Sequence, residues 1–222
     1  MIHLDGINKC YGSNVILKDF NLKIDKNEQV GLIGISGSGK TTILNMIAGL
    51  VKPDSGNIII YSNKIGYIFQ ETRLIPWKNV LNNIIIGAKA LKLKRYEAVK
   101  KCQAILDRLE IRKYERFYPS QLSGGIAQRV SIARAFFIDP EILLMDEPFS
   151  SLDPGLRNRL HNYVLELTKE RNITLLYVSH FLNDIIKVTN KVYVLKKEGY
   201  LGIISQKKNS YFSENDYSLY EN

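Results

Sequence analysis

The sequence predicts an α/β protein in which helices cover a mainly parallel sheet. Continuous apolar runs at Ile142–Met145, Thr174–Val178 and Val192–Leu195 are typical of strands buried on both faces. Helical patterns at Leu156–Leu167 and Phe181–Val188 lie before and between the later runs. This alternation of strands and helices favours a parallel sheet.

The first part of the chain is richer in strands. Apolar runs at Ile2–Leu4, Val15–Leu17 and Phe20–Ile24 are interrupted by turn residues such as Gly12, Ser13 and Asn14. A glycine-rich loop and a helix follow, and the helix is expected to stop near Gly49 and Pro53. Two further strands are expected at Asn57–Tyr61 and Ile65–Phe69.

The middle of the chain has a helical pattern. Apolar residues recur at helical spacing from Tyr96 to Leu109, and this stretch is more polar and richer in lysine than its flanks. A second helix opens at Ser123 and ends before Pro140, because a residue that precedes proline avoids the helical region. We expect this part of the chain to form a separate helical lobe.

Residues Gly34–Thr41 form a phosphate-binding pattern, with Gly34, Gly39, Lys40 and Thr41 at the required spacing. The loop follows an apolar strand pattern and precedes a helix pattern. In that setting the backbone N–H groups and the helix dipole form an anion cradle. Lys40 is expected to bind the β- and γ-phosphates of a nucleoside triphosphate, and Thr41 to bind Mg²⁺. The predicted loop residues also include Ser36, Gly37, Ser38 and Thr42.

Two adjacent carboxylates, Asp146 and Glu147, end the strand predicted at Ile142–Met145. An acid at this place can hold Mg²⁺ through its water shell, which makes Asp146 the candidate metal residue. Glu147 is the candidate general base for the attacking water. An Asp-Glu-Pro turn alone is more often a solvated strand end, so the assignment depends on the presence of Lys40.

The stretch Leu122–Arg129 places a serine cap and two glycines, Ser123, Gly124 and Gly125, at the start of a helix. It resembles the signature motif of ATP-binding cassette (ABC) ATPases. This resemblance implies a P-loop NTPase core with a mainly parallel sheet, an N-terminal antiparallel β subdomain and a helical signature subdomain. It covers the chain from Ile2 to about Leu195.

The resemblance implies roles for five further residues. Tyr11 would stack on adenine, and Gln70 would contact Mg²⁺ and water and move with a membrane partner. The loop containing Ser151 and Asp153 would cross to a second subunit, and His180 would hold the γ-phosphate. Taken singly, each is an unremarkable polar or aromatic residue, but they occur in the order of the family.

The family architecture implies that two ATPases pack head to tail. Each ATP would lie between Lys40 of one copy and Ser123 of the other, so hydrolysis requires a homodimer or a pair with a similar ATPase. The γ-phosphate contacts would hold the closed state, and hydrolysis would release it.

The stretch Tyr67–Val80 resembles importer ATPases for nitrate, taurine and aliphatic sulfonates, and it contains Trp77, the only tryptophan of the chain. The resemblance implies an ATP-hydrolysing importer subunit that works with separate permease subunits and, through them, a solute-binding protein. One alternative is the ATPase of an export or cell-division complex. Another is a soluble ABC ATPase that acts on DNA or ribosomes; the chain lacks the long coiled-coil insertion or tandem cassettes usual there.

Composition adds few constraints. The 222 residues carry a net charge of +9, but the lysines are scattered and no nucleic-acid partner is expected. Two distant cysteines, Cys10 and Cys102, are expected to be reduced thiols. The N-terminus shows no signal-peptide pattern and no apolar run is long enough to span a bilayer, so the cytosol is the expected compartment. The importer resemblance further implies a peripheral position on the cytoplasmic face of the cell membrane.

The resemblance also sets expected domain limits within one ABC ATPase domain, residues 1–222. The core and β subdomain would occupy about 1–70 and 140–205, the helical lobe about 71–139, and a C-terminal tail 206–222.

Overall fold

The computed structural model describes residues 1–150, 152–196 and 201–206, the last of these ranges as backbone only. The predicted loop residue Ser151 and nearly all of the predicted C-terminal tail lie outside the described residues. The chain divides into two compact units, Met1–Tyr61 with Thr174–Asn222, and Ser62–Ile173. The domain limits expected from the family resemblance stay a prediction.

The first unit contains an antiparallel sheet and a mainly parallel sheet. Its strands are β1 (Ile2–Tyr11), β2 (Asn14–Ile24), β3 (Gln29–Ile33), β4 (Ser55–Ile60), β7 (Thr174–Val178), β8 (Lys191–Leu195) and β9 (Leu201–Gln206), and its helices are α1 (Lys40–Ile47) and α6 (Leu182–Val188). In the antiparallel sheet, β1 lies between β2 and β4. In the second sheet, β3 lies between β7 and β8, parallel to both, and β9 pairs antiparallel with β8.

The second unit contains two parallel strands and most of the helices. Its elements are β5 (Ile65–Ile68), α2 (Val80–Ile84), α3 (Arg95–Arg108), α4 (Gly124–Phe137), β6 (Ile142–Asp146) and α5 (Pro154–Glu170). Strand β6 pairs with β5, with Met145 opposite Ile68. Every residue of β6 is buried, as the continuous apolar run predicts.

The predicted fold class is confirmed, although the β1–β2 hairpin differs from the sequence prediction. The two apolar runs expected as separate strands form one strand, β2, with Asp19 at φ 47 between them. The pairing of β1 with β2 shifts register at this point. A bulge of this kind lets one strand continue through a residue whose backbone departs from the extended conformation.

The core of each unit is built from its buried strands and the helix faces that cover them. In the first unit, Gly31 of β3 lies so close to α6 that a Cβ there would overlap the side chain of Ile185. In the second unit, most of α4 is buried, including Phe136 and Phe137. This packing fixes the strand ends and helix starts that carry the candidate site residues.

Candidate functional site: a phosphate-binding loop and its partner elements

The glycine loop lies at the carboxyl end of β3 and is closely surrounded. A Cβ on Gly34 would overlap the backbone carbonyl oxygen of Leu195, at the end of the neighbouring strand β8. Gly37 and Gly39 have φ values of 77° and 102°, a backbone region that favours glycine. A Cβ on Gly39 would also lie 2.7 Å from Ile16 Cγ2. The glycines are therefore required by the local geometry.

Lys40 is the first residue of α1 and is buried. Its Nζ donates to the carbonyl oxygens of Gly34, at 2.8 Å, and Ile35, at 2.9 Å. These bonds hold the ammonium group across the loop, at the N-terminus of a helix. Both the ammonium charge and the positive end of the helix dipole favour an anion at this place.

A cavity of about 490 Å³ lies beside the loop, within the size range of small-ligand sites. It is lined by Ser13–Ile16 at the start of β2 and by Ile35–Ser38 of the loop. The Ser38 hydroxyl is buried and has no hydrogen-bond partner among the described residues. A Cβ on Gly37 would meet nothing within 4 Å, so the loop backbone is open on this side. Both observations fit a polar ligand such as a phosphate group.

Tyr11 and His180 lie near the two sides of the loop. Tyr11 ends β1 and pairs with Asn14, which lines the cavity, and its ring lies 5.3 Å from Lys9 Nζ. His180 is exposed and follows the carboxyl end of β7, the strand that pairs with β3 on the side opposite to β8. The structure thus brings Lys40 and His180 to one edge of one sheet.

Asp146, Glu147 and Gln70 lie at the carboxyl ends of β6 and β5 in the second unit. Since Ile68 pairs with Met145, Gln70 and Glu147 each follow the paired residues by two positions. Asp146 is buried, Glu147 is half-buried, and Gln70 is exposed. The three side chains therefore belong to one strand edge.

The carboxylate of Asp146 accepts a hydrogen bond from the hydroxyl of Tyr67, a residue of β5. Burial and the negative charge of Asp146 raise the pKa of Tyr67 well above its usual value. The phenol therefore keeps its proton and acts as a donor to the carboxylate at neutral pH. The sequence analysis did not identify the contact between Tyr67 and Asp146. The only signal for it in the sequence is the alternation of side chains along β5, the strand beside β6.

Ser123 caps the N-terminus of α4, with its Oγ accepting from the backbone N–H of Ile126 at 3.4 Å. Ser123 and Gly124 are exposed, and a Cβ on Gly124 would meet nothing within 4 Å. Gly125 differs, because a Cβ there would lie 2.5 Å from Leu156 Cδ2 in the first turns of α5. The helix start predicted as a second anion site is thus exposed and packs against α5.

Asp153 caps α5, where its Oδ1 accepts from the backbone N–H of Leu156 at 2.9 Å. The preceding loop is held by Arg157, which donates to the carbonyl oxygens of Ser150 and Leu152. Through Leu156, the structure brings Asp153 close to the signature residue Gly125. A role of Asp153 toward a second subunit stays a prediction.

The two units divide the predicted site residues between them. The first unit holds Tyr11, Gly34, Ser36, Gly37, Ser38, Gly39, Lys40, Thr41, Thr42 and His180, and the second holds Gln70, Ser123, Gly124, Gly125, Asp146, Glu147 and Asp153. Each set lies on neighbouring strand ends or helix starts of its own unit. The roles of the individual residues stay predictions.

Comparison with known proteins decides the family. The protein family described as ABC transporter matches residues 17–150, which is more than half of the chain. The chain belongs to the ABC transporter family. The matched range includes the glycine loop, Gln70, the signature residues and Asp146–Glu147, whereas Tyr11, Asp153 and His180 lie outside it.

Relatives of this ABC protein carry importer names. It is 40% identical over 190 residues to the aliphatic sulfonates import ATP-binding protein SsuB of Corynebacterium glutamicum, which covers 86% of this chain and 78% of that protein. It is 35% identical to a probable sulfate/thiosulfate import ATP-binding protein of Chlorella vulgaris, over 88% of this chain and 87% of that one. The predicted resemblance to importer ATPases of the sulfonate type is confirmed.

Solved structures of the cassette MJ0796 share the fold. A dimeric structure of this bacterial ABC transporter cassette matches with a TM-score of 0.82 and 32% identity, over 90% of this chain and 96% of that one. A dimeric post-hydrolysis structure bound to ADP and phosphate matches with a TM-score of 0.85 and 30% identity, over 94% and 100%. The ABC protein described here is an ATPase, as the sequence predicts.

No helix in the described part of the chain has the length and apolar character needed to cross a membrane. Among the same residues, no group of three or more His, Cys, Asp or Glu side chains could together hold a metal ion.

Proposed function

We propose that the chain binds ATP with Mg²⁺ at the glycine loop and hydrolyses it to drive the import of a small solute. The position of Lys40 carries the proposal, since its ammonium group is fixed across the loop beside a cavity of about 490 Å³. An ammonium group beside the positive end of a helix dipole favours the binding of a triphosphate.

Residues of the first unit would bind the nucleotide. The loop N–H groups and the ammonium group of Lys40 would hold the β- and γ-phosphates and stabilise the charge that spreads over the γ-phosphate oxygens. His180, at the same sheet edge, would contact the γ-phosphate, and Tyr11 would stack on the adenine. These contacts orient the phosphate for in-line attack by water.

Residues of the second unit would supply metal and water chemistry. Glu147 would accept a proton from the attacking water, and Gln70 would orient that water. Asp146 is an oxygen ligand of the kind that Mg²⁺ prefers, and the Tyr67 hydroxyl holds its carboxylate in place. Mg²⁺, bound by Thr41, Gln70 and Asp146, would neutralise charge on the phosphates.

We propose that two copies of the chain complete the site. One chain has one glycine loop and one signature helix, and the exposed Ser123 and Gly124 would face the ATP held by Lys40 of the second copy. Asp153 would contact the second copy beside this helix. The dimeric structures of the related cassette support this arrangement.

The names of the relatives and an exposed surface support the proposed direction of transport and the proposed partners. The relatives are named import ATP-binding proteins, two of them for aliphatic sulfonates or sulfate and thiosulfate. Trp77 is 77% exposed, which is unusual for the largest apolar side chain and favours a protein partner. We propose that permease subunits bind there, that the protein lies on the cytoplasmic face of the membrane, and that the cargo is a sulfonate-like solute delivered by a binding protein.

Two substitutions test the ATPase proposal. Lys40→Ala should weaken ATP binding at least about tenfold, because it removes a charge that contacts the phosphates. Lys52→Ala, at an exposed lysine outside the loop, is the control for Lys40→Ala. Equal ATP affinity in Lys40→Ala and wild type would refute the assignment of the site.

Glu147→Gln should bind ATP normally but lower turnover by about 10²–10⁴-fold, the usual contribution of a general base.

An uptake assay tests the import proposal. Cells that carry wild-type protein should accumulate a labelled sulfonate, and cells with Glu147→Gln should not. Competition with unlabelled taurine, nitrate and sulfate would rank the cargo. Export of the label, or uptake that does not depend on Glu147, would contradict the importer assignment.

A further inference from the structure

Arg134 connects the signature helix to the segment that follows Gln70. It lies in the last turn of α4, and its guanidinium group donates to the backbone carbonyl oxygens of Thr72 and Arg73, at 2.8 Å in each case. Burial lowers the pKa of Arg134, but an arginine keeps its charge at neutral pH. Two donors on one rigid plane fix both the distance and the orientation of the segment relative to the helix.

A second contact holds the residue just before Gln70. The ring of Phe69 stacks on Tyr67 with centroids 3.8 Å apart, and the guanidinium group of Arg73 lies 4.2 Å from the Phe69 ring centroid. Arg73 has φ 44, so its backbone is held in a conformation that non-glycine residues rarely adopt. Arg134 therefore holds a segment in which Phe69 and Arg73, on either side of Gln70, contact each other.

We propose that Arg134 is a positioning residue, through which helix α4 sets the position of the Gln70 side chain. The inference rests on the proposed function, since it assumes that Gln70 serves ATP hydrolysis. Helix α4 begins at Gly124, directly after its cap Ser123, and has 14 residues, so Arg134 is about three turns from the signature serine. A displacement of the helix start is thereby passed to the backbone at Thr72 and Arg73, two and three positions after Gln70.

A kinetic comparison of wild type with Arg134→Lys tests this inference. Lysine keeps the charge but loses the planar pair of donors, so the segment loses its fixed geometry. We expect kcat for ATP hydrolysis to fall about tenfold or more, because small misplacements of catalytic groups are costly. KM and the Kd for ATP should stay within about twofold, since no residue of the glycine loop is changed.

Arg108→Lys is the matched control. Arg108 also donates two hydrogen bonds at 3.0 Å within the second unit, but both go to the Glu170 carboxylate on α5. Its substitution should leave kcat unchanged. A kcat loss of the same size in Arg108→Lys would overturn the inference, because weakening any helix contact would then be enough to lower kcat.

A double-mutant cycle with Gln70→Ala separates positioning from general stabilisation. If Arg134 acts through Gln70, adding Arg134→Lys to Gln70→Ala should lower kcat by less than about twofold more. The inference would be overturned if the losses in kcat of the two single variants simply multiply in the double variant. It would also be overturned if Arg134→Lys alone left kcat unchanged. If Arg134→Lys does not fold, Arg134→Gln is measured in the same cycle and judged by the same outcomes. A wild-type chain without ATP hydrolysis would refute the proposed function instead.

Discussion

Glu147 has a backbone conformation that few side chains adopt, with φ 44. It directly follows the fully buried strand β6, and its carbonyl oxygen accepts hydrogen bonds from the N–H and the Oγ of Ser150, at 3.3 and 3.1 Å. Such a conformation costs about 1–3 kcal/mol and persists only where the surroundings impose it. The sequence predicts Glu147 as the general base from its place after a buried strand in a chain that also carries Lys40. The backbone conformation of Glu147 could be found only from the three-dimensional structure.

The closeness of Gly34 to Leu195 predicts that adding a single Cβ atom at Gly34 destabilises the protein. A Cβ at Gly34 would overlap a backbone carbonyl, which cannot move as a side chain can. We expect Gly34→Ala to destabilise the fold by about 1–3 kcal/mol, which lowers the melting temperature by about 2–12 °C in a chain of this length. Calorimetry measures the shift.

Gly124→Ala is the control for this stability measurement. Its Cβ would meet nothing within 4 Å, and alanine favours a helix more than glycine does. The melting temperature of Gly124→Ala should therefore equal or exceed that of wild type. A Gly34→Ala chain as stable as Gly124→Ala would show that the contact with Leu195 does not restrict the loop.

At the scale of elements, strands with a continuous apolar run were predictable from the sequence. The irregular pairing of β1 with β2 was not. The strand predicted at Thr174–Val178 has the bounds observed for β7, since a continuous apolar run between turn residues leaves little choice. The long strand β2 was predicted as two runs, because polar residues and the bulge at Asp19 interrupt the apolar pattern. The length of β2 is set by its pairing with β1, and strand pairing cannot be read from one apolar run of the sequence.

Helix α2 shows another limit of sequence patterns. It has five residues, fewer than a hydrophobic periodicity needs, and the sequence analysis did not predict it. Asn79 caps its start by accepting from the N–H of Asn82. Asn83, which is fully buried, accepts from the N–H of Ile75 and donates to the carbonyl oxygens of Ile75, Lys78 and Asn79. A tertiary network therefore defines this element.

We predict that Asn83→Ala loosens the turn that presents Trp77. The change leaves the part-buried N–H of Ile75 and the carbonyl of Lys78 without their Asn83 partner, at a cost of about 1–3 kcal/mol for each unsatisfied group. Urea unfolding should show a loss of about 2–4 kcal/mol in the free energy of unfolding. The emission maximum of Trp77, the only tryptophan, reports the turn itself.

Asn82→Ala is the matched control for this element. Asn82 is the neighbouring asparagine, and its backbone N–H, which the substitution keeps, makes the bond to Asn79. Its stability and the Trp77 emission should stay close to wild type. Equal effects of the two substitutions would contradict the role of the Asn83 network.

At the scale of the whole molecule, the order of the motifs was predictable and their contacts were not. Lys40 was identified from the spacing of its motif, and the Asp146–Glu147 pair from its place at a strand end. Ser123 was identified from a capped helix start that resembles the signature motif of the family. Tyr67 and Arg134 were missed, since their roles come from contacts with Asp146 and with backbone carbonyls that no local pattern encodes. Residues that bind a ligand were thus easier to predict than residues that support them.

Assembly is the final test, because one chain has one glycine loop and one signature helix. If ATP joins two copies, Glu147→Gln should sediment as a dimer with MgATP and as a monomer without it, because bound ATP is then not consumed. Adding Ser123→Arg should abolish the dimer while ATP binding is kept, since the exposed helix start would present a bulky cation to the second copy. Saturating ATP should still stabilise this double variant, by about 2.7 kcal/mol at a hundred times Kd. If the double variant still forms a dimer, the signature helix lies outside the ATP-dependent interface. If ATP no longer stabilises the double variant, Ser123 serves the nucleotide site of its own chain.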